Sequence, residues 1–459
     1  MRQALATKPP PAVRPHVRLA DASAEPTRDS QLARPATPSL FQSRNVRLRV
    51  IGGLISVLGD QFYLIALPWL VLQLTGNALD VGAVLALAGV PRALLMLVGG
   101  AFTDRFSPRR VMLYSNYLRA AVVGLMAGLV LIGAVQVWML YAMALLFGTV
   151  DAFFYPAAQA ILPQIVSKDQ LQAGNAVLMG STQIATFVGP VVAGAMIALL
   201  DGGGSARSTA DSLGIGVAFG VDSLGFVVAA VTLALMRIDA EHRRYVEAVW
   251  QPSGTLVAIR EGLDRVWRDP ALRAFFVVCA AVNLLITGPF AVGVPVLANS
   301  RFAEGAAAFG MIMSAMGGGS LVGIVLAGML PKLPARWFSP AMLSVTGIIG
   351  LGVALIGVGE SLAVAATSAL LMGVGMGYIN IVFMTWIQRR TPGVLLGRMM
   401  SLMMFASVGL GPVSMAAAGA LVGASPTGLF VGAGALLVAV IVVAWLNPAV
   451  RSMGEEMSD

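Results

Sequence analysis

The sequence predicts an all-α membrane protein with twelve transmembrane helices, and three observations support this fold class. Of the 459 residues, 58% are hydrophobic and only 11% are charged, whereas a soluble globular protein carries about 25% charged residues. The apolar residues form blocks that approach the roughly 20 residues needed to cross a bilayer as a helix. These blocks lack the alternating pattern of an outer-membrane barrel strand.

Residues 1–44 are rich in Pro, Arg and Ala and contain no apolar run. A secretory signal needs such a run, so we expect a disordered cytosolic tail.

Twelve apolar segments follow the tail. They are 47–74, 80–103, 111–133, 136–158, 172–200, 213–236, 271–297, 306–330, 339–359, 362–386, 397–422 and 427–447. A longer polar stretch after the sixth segment predicts a cytosolic linker. The expected domains are an N-terminal six-helix bundle at 45–236, the linker at 237–270, a C-terminal six-helix bundle at 271–449 and a cytosolic tail at 450–459.

The basic residues predict the orientation of the helices. If the N-terminus lies inside, only Arg207 and Arg301 of the 30 Lys and Arg residues fall in loops on the outer side. Arg92 and Arg119 fall within spans. The positive-inside rule therefore places both termini in the cytoplasm. The net charge of +8 belongs to tails and loops, and it does not indicate nucleic-acid binding.

The sequence shows no pattern of an enzyme or a metal protein. The single cysteine, Cys279, lies in an apolar segment, and the two histidines, His16 and His242, are far apart. No G-x-x-x-x-G-K-[ST] phosphate loop is present, so the chain does not hydrolyse ATP by itself. We expect no cofactor, no metal and no enzymatic activity.

A short polar stretch between the second and third segments carries the first motif. It reads GAFTDRFSPRR at 100–110. It resembles the G-x-x-x-D-R-x-G-R-R loop between helices 2 and 3 of the major facilitator superfamily, from which it departs at Ser107 and Pro108. The resemblance implies the major facilitator fold, and it implies a gating or structural role for the matching residues, Gly100, Asp104, Arg105 and Arg109.

A second motif lies in the fifth segment. Gly189, Pro190 and Gly194 stand in GPVVAG, which resembles the G-P-x-x-G-G motif of the superfamily's antiporters. The eleventh segment carries Gly411 and Pro412 at the equivalent place. A Gly-Pro pair frees a backbone carbonyl and allows a bend, although an ordinary packing kink explains it equally. The two copies indicate an internal repeat.

Two further stretches, at 72–92 and 154–176, resemble the branch of macrolide-efflux-type proteins and the enterobactin exporter. The second copy of the signature loop, at 328–336, is degenerate.

Ionisable residues within spans are costly and default to functional candidates. Here they are Asp60, Arg92, Arg119, Asp151 and Asp222. In the resembled fold, helices 1, 4, 7 and 10 line the central cavity, which makes the first and fourth segments the most informative.

Asp60 lies near the middle of the first segment, on one helical face with Tyr63. Burial disfavours the charged form of a carboxyl, so Asp60 is a candidate proton carrier or counter-ion for a cationic substrate. The alternative is a buried ion pair with Arg92. For Asp151, which shares a face with Tyr155, we expect a structural salt bridge with Arg119 or the signature loop. For Asp222 we expect a satisfied structural pair.

The C-terminal segments contain no intramembrane charge. Their candidate cavity residues are polar or flexible, namely Asn283 in the seventh segment, Asn380 in the tenth, and Met399, Met400, Met403 and Met404 in the eleventh. The expected proton or substrate site therefore comprises Asp60, Tyr63, Arg92, Tyr155, Asn283 and Asn380.

The leading hypothesis is a secondary exporter of amphiphilic drugs or secondary metabolites, driven by proton antiport with alternating access. We expect a monomer in a bacterial cytoplasmic membrane whose partners are a small amphiphilic substrate, protons and lipid. The alternatives are export of a siderophore or other native metabolite, lysophospholipid flipping, and a sensor or scaffold without transport.

Overall fold

Nearly all of the described chain is helical in the computed structural model, which describes residues 40–201, 212–237, 264, 266–331, 334–390, 409–447 and 450. The helices are α1 (Arg44–Thr75), α2 (Ala78–Arg105), α3 (Pro108–Leu131), α4 (Val137–Ala160), α5 (Leu171–Leu200), α6 (Leu213–Leu235), α7 (Pro270–Gly288, continuing through a π-helical segment Pro289–Gly293 into Val294–Arg301), α8 (Ala306–Met329), α9 (Ala335–Val358), α10 (Leu362–Arg390), α11 (Gly411–Val422) and α12 (Pro426–Leu446).

Eleven of these helices are long and apolar enough to cross a membrane, and the described part of α11 is a shorter apolar helix. The predicted twelve-helix membrane fold is therefore confirmed. Most of the predicted N-terminal tail, nearly all of the linker, the C-terminal tail and the methionines at 399–404 lie outside the described residues.

Short turns with specific caps separate the first helices. Gly76 ends α1 with a φ of +62°, a left-handed conformation that glycine adopts readily. The side chain of Asn77 then accepts a hydrogen bond of 3.0 Å from the Leu79 backbone N–H and caps α2. The turn at 76–77 marks what we call the Gly76 end of the bundle, and the start of α1 marks the opposite Arg44 end.

The connection between α2 and α3 is shorter than the sequence analysis predicted. Gly100, Asp104 and Arg105 belong to the last turns of α2, so only residues 106–107 separate the two helices. The polar residues at these positions are compatible with a helix, and Pro108 starts α3 because proline fits the first helical position. Of these three α2 residues the structure describes the backbone.

The two halves of the chain repeat one packing pattern. In the N-terminal half (α1–α6), α2 packs on α4, α3 packs on α6, and α1 packs on α5 and α6. In the C-terminal half (α7–α12), the equivalent pairs are α8 with α10, α9 with α12, and α7 with α11 and α12. The internal repeat indicated by the two Gly-Pro pairs is thus present in the helix packing.

Two helix pairs form the main contacts between the halves, α2 with α11 and α5 with α8. A Cβ atom added to Gly82 of α2 would lie 2.8 Å from the Cα of Gly419 of α11. A Cβ atom added to Gly310 of α8 would lie 3.1 Å from the Cα of Gly194 of α5. Both interfaces therefore depend on backbone-to-backbone contact, which small residues permit in membranes.

Hydrogen bonds across the halves extend from the Gly76 end to the middle of the bundle. Near the Gly76 end, Gln73 Nε2 donates to Asn299 Oδ1 at 3.3 Å. Further in, Gln183 Nε2 donates to Ser320 Oγ at 3.3 Å. Together with the close approach of Gly82 to Gly419 and of Gly310 to Gly194, these hydrogen bonds hold the halves together at the Gly76 end and in the middle of the bundle.

The helix α7 contains an irregularity that a residue of α11 supports. Its π-helical turn starts at Pro289, which lacks a backbone N–H. The hydroxyl of Ser414 accepts a hydrogen bond of 2.7 Å from the Gly288 N–H and donates to the Leu284 carbonyl. This side chain therefore satisfies backbone groups at an irregularity that the apolar segment 271–297 did not predict.

Candidate functional site

The five intramembrane ionisable residues of the N-terminal half converge in its interior. They come from five different helices, Asp60 from α1, Arg92 from α2, Arg119 from α3, Asp151 from α4 and Asp222 from α6. Arg119, Asp151 and Arg92 all act electrostatically on Asp60, and Asp60, Arg119 and Asp151 act on Asp222. Hereafter these five residues are called the charged cluster.

Asp151 lies between the two arginines of the charged cluster. Its Oδ1 forms an ion pair with Arg119, and its Oδ2 lies 3.8 Å from Arg92 Nη1. The side chains of Asp151 and Arg119 are 8% and 3% exposed. The salt bridge between Asp151 and Arg119 is one of the pairings that the sequence analysis expected. In the part of the chain that the structure describes, Arg92 lies next to Asp151 and forms no ion pair with Asp60.

Aromatic rings surround the guanidinium of Arg119. Its Cζ lies 4.0 Å from the centroid of Phe154 and 5.4 Å from the centroids of Phe147 and Phe226. A guanidinium at these distances is attracted to the ring faces. Arg119 is therefore fixed by both its ion pair and its aromatic neighbours, which favours a structural role.

Asp60 and Tyr63 lie one turn apart on α1 and are both partly exposed. The ring of Tyr63 stacks on Phe147 with centroids 4.4 Å apart and an interplanar angle of 12°. Its buried hydroxyl has no hydrogen-bond partner. Asp60 makes no ion pair within the part of the chain that the structure describes, so it is the accessible carboxyl of the charged cluster.

Asp222 differs from its prediction. The sequence analysis expected a satisfied structural pair, but Asp222 is 0% exposed and neither of its carboxylate oxygens has a hydrogen-bond partner. A Cβ atom added to Gly59 of α1 would lie 2.8 Å from Asp222 Oδ1. The missing side chain at Gly59 therefore admits this carboxyl into the α1–α6 interface, next to Asp60.

A small pocket lies between the charged cluster and the Arg44 end, and it is called the polar pocket after the four polar side chains in its otherwise apolar lining. Its lining includes Arg49 and Ser56 of α1, Asn116 of α3, Phe154 of α4 and Thr232 of α6. The buried Arg49 Nε and Asn116 Oδ1 atoms have no hydrogen-bond partner. Sequence reasoning missed this pocket, although polar residues one turn before Asp60 and Arg119 were a usable signal.

Of the remaining predicted cavity residues, Tyr155 lies one turn after Asp151 at the edge of the charged cluster, whereas Asn283 and Asn380 belong to helices of the C-terminal half. Tyr155 of α4 is 41% exposed. Asn283 of α7 donates a hydrogen bond of 3.0 Å to the Cys279 carbonyl of its own helix, and Asn380 of α10 is exposed. These three polar side chains lie at separate positions on the helices expected to line the cavity.

Arg109 of the signature motif forms hydrogen bonds with the C-terminal end of α6. Arg109 donates from Nε to the Leu233 carbonyl at 2.7 Å and from Nη2 to the Ala234 carbonyl at 2.6 Å. A cation at the C-terminus of α6 is favourable because it meets unpaired carbonyls and the negative end of the helix dipole.

The Gly-Pro pairs occupy the two interfaces between the halves. A Cβ atom added to Gly310 of α8 would clash with the Pro190 carbonyl oxygen, and the N–H of Val191 donates to Ser314 Oγ of α8 at 2.8 Å. On the other interface, a Cβ atom added to Gly89 of α2 would lie 2.6 Å from Pro412 Cγ. Both pairs therefore lie where helices of different halves meet.

Sequence comparison identifies the family. The family model described as Major Facilitator Superfamily matches residues 50–413, which is most of the chain. The chain belongs to the major facilitator superfamily.

Two relatives within the superfamily are efflux proteins. The multidrug efflux pump Tap of Mycolicibacterium fortuitum is 28% identical over 382 residues, covering 80% of this chain and 86% of the relative. Macrolide efflux protein A of Streptococcus pyogenes is 22% identical over 187 residues, covering 41% of this chain and 43% of the relative. The resemblance to the macrolide-efflux branch is thus confirmed.

A solved structure supports the same fold. A bacterial homologue of the iron transporter ferroportin, in an inward-facing state, aligns with a TM-score of 0.63 over 88% of this chain and 99% of its own. At 17% identity this likeness shows the major facilitator fold alone. Among the described residues, no group of three His, Cys, Asp or Glu side chains is placed to hold a metal ion.

Proposed function

We propose that this major facilitator protein is a secondary active exporter of amphiphilic drugs or secondary metabolites, coupled to proton entry by alternating access. The observation that carries the proposal is the contrast within the charged cluster between Asp60, which is accessible and unpaired, and Asp151, which is held by Arg92 and Arg119. Similarity to the pump Tap over most of both chains supports the choice of drug-like substrates.

Asp60 is the proton carrier in this proposal. A charged Asp near the centre of a span costs roughly 2.5–3.5 kcal/mol on insertion scales, and a proton removes that cost. If one conformation hydrates Asp60 and the other buries it, protonation shifts the equilibrium constant between the two conformations by about two decades. The fixed bridge between Arg119 and Asp151 keeps the surroundings of Asp60 constant while its own charge changes.

The charged cluster also bears on the class of substrate. A large anionic cargo such as a siderophore needs free cations in the cavity, and Arg92 and Arg119 are the cationic candidates. Asp151 already contacts both guanidiniums, and the Arg119 side chain is 3% exposed. Neutral or cationic amphiphiles therefore fit better, contacting Tyr155, Asn283 and Asn380 on a mostly apolar cavity wall.

The proposal places the protein as a monomer in a bacterial cytoplasmic membrane, with both termini and the Arg44 end in the cytoplasm. The positive-inside distribution of Lys and Arg supports this orientation. The halves are then joined at the outer side, which leaves the cavity to open toward the cytoplasm, where drugs accumulate.

Export by the Asp60→Asn variant tests the proposal. The amide mimics the protonated carboxyl, so we expect reconstituted protein that binds the cationic dye ethidium but does not concentrate it when a proton gradient is imposed. Asp80→Asn, at the start of α2, is the matched control and should export normally. Proton-driven export by Asp60→Asn at the wild-type rate would return Asp60 to a structural role.

A further inference from the structure

We propose that Asp222 is a second proton-binding residue, which titrates together with Asp60 across Gly59 and exchanges protons through the polar pocket at the Arg44 end. This inference rests on the proposed proton coupling of Asp60. It adds a residue on α6, a helix that sequence reasoning set aside as structural.

The first argument is the burial of Asp222. Its side chain is 0% exposed and both carboxylate oxygens lack a hydrogen-bond partner among the residues that the structure describes. An ionised carboxylate left unpaired in the protein interior costs several kcal/mol. Asp222 is therefore neutral in this conformation, and it holds a proton that none of its described neighbours shares.

The second argument is the charge balance of the cluster. Three carboxyls face two guanidiniums, so the cluster is neutral when one proton is bound. Arg92 and Arg119 are both engaged by Asp151, which leaves Asp60 and Asp222 to carry that proton. A second proton makes the cluster cationic, and the two charge states favour different conformations if one conformation binds that proton more tightly.

The third argument is the set of groups facing Asp222. From α1 these are Asp60 and Tyr63, and from α3 and α4 they are Arg119 and Asp151. The helix α5, which also packs on α6, contributes no ionisable side chain between 171 and 200. The Asp222 carboxyl lies against Gly59, the residue before Asp60, so protons on the two carboxyls are not independent.

The fourth argument is a path for protons. The polar pocket reaches Ser56, one turn before Asp60, and Asn116, one turn before Arg119. Ser56 and Asn116 are 5% and 1% exposed. Buried polar side chains of this kind hold ordered water when space allows. A proton leaving either carboxyl passes to such water and then along the pocket toward Arg49.

Infrared titration of carboxyl groups tests this inference without substrate. We would record the absorption of protonated carboxyls in protein held in lipid nanodiscs, from acidic to alkaline pH, for wild type and for Asp222→Asn, Asp60→Asn and Ser223→Ala. We expect Asp222→Asn to lose one titrating band. We expect Asp60→Asn to shift the midpoint of the Asp222 band by about tenfold in proton concentration, because the two carboxyls interact.

The controls separate this inference from the proposed function. Ser223 neighbours Asp222 but donates its hydroxyl to the Ala120 carbonyl, so Ser223→Ala should leave both bands unchanged. The Asp60→Asn protein retains Asp222 and is informative even if Asp222→Asn does not fold. If the Asp222 band does not change with pH and is not shifted by Asp60→Asn, the assignment of Asp222 as a proton-binding residue is overturned. Normal export by Asp60→Asn overturns the proposed function alone.

Discussion

At the scale of single residues, the sequence identified the members of the charged cluster and offered the pairing of Asp151 with Arg119, but it did not predict that Asp222 lies unpaired beside α1. Asp60, Arg92, Arg119, Asp151 and Asp222 stand out because ionisable residues are rare in membrane spans. Which of them touch depends on how each helix is rotated and on small residues in neighbouring helices. Gly59, which admits Asp222 beside Asp60, carries no signal of its own in the sequence.

The ion pair of Arg119 and Asp151 predicts a large effect of a single truncation. Removing one partner of a buried pair leaves an uncompensated charge and costs about 3–5 kcal/mol. We expect Arg119→Ala to lower the unfolding temperature of the purified protein markedly, and the double variant with Asp151→Ala to recover much of the loss. Arg110→Ala, at an exposed position, is the control. Equal unfolding temperatures for Arg119→Ala and wild type would show that the pair contributes little.

At the scale of elements, apolar runs predicted the helices well and their irregularities poorly. The C-terminal end of α2 was not predictable, because Asp104 and Arg105 suit a last helical turn as well as a loop. The π-helical turn of α7 was also missed. Pro289 indicated an interruption, but its form depends on Ser414 of another helix, and contacts of this kind are not local in sequence.

The role of Ser414 in α7 can be measured. Ser414→Ala removes an acceptor for the Gly288 N–H and a donor to the Leu284 carbonyl. Leaving buried backbone groups unsatisfied costs about 1–3 kcal/mol, so we expect a lower unfolding temperature. Ser181→Ala removes only a hydroxyl that donates to Val177 in its own helix, and it should have a much smaller effect. Equal effects of the two substitutions would mean that α7 does not depend on Ser414.

At the scale of the whole molecule, the repeat was predictable and the interface between the halves was not. Two Gly-Pro pairs at equivalent places indicated two similar halves. The contacts between Gly82 and Gly419, and between Gly194 and Gly310, consist of touching backbones. With 52 glycines in the chain, the sequence alone does not say which of them meet.

Joining the halves at the Gly76 end should block transport. We would replace Gln73 and Asn299 by cysteines in a Cys279→Ala background and treat the protein with a short reducible thiol cross-linker. The two side chains are within 3.3 Å, so we expect cross-linking to abolish export and reduction to restore it. Cross-linking Asp80→Cys to Tyr141→Cys, two residues that hydrogen bond within the N-terminal half, should not affect export. If export is undiminished when Gln73→Cys is cross-linked to Asn299→Cys, the halves do not need to separate at the Gly76 end during transport, and the prediction is contradicted.

The bridge between Arg119 and Asp151 also has a consequence for biosynthesis. The helix α3 is the least apolar of the eleven candidate spans, and it carries Arg119 near its middle, which adds about 2.5–3.5 kcal/mol to its insertion. The carboxylate that neutralises Arg119 lies in α4, which leaves the ribosome later. We therefore expect α3 to remain at the insertion machinery until α4 arrives, so that the two helices enter the lipid as a hairpin with their charges already paired.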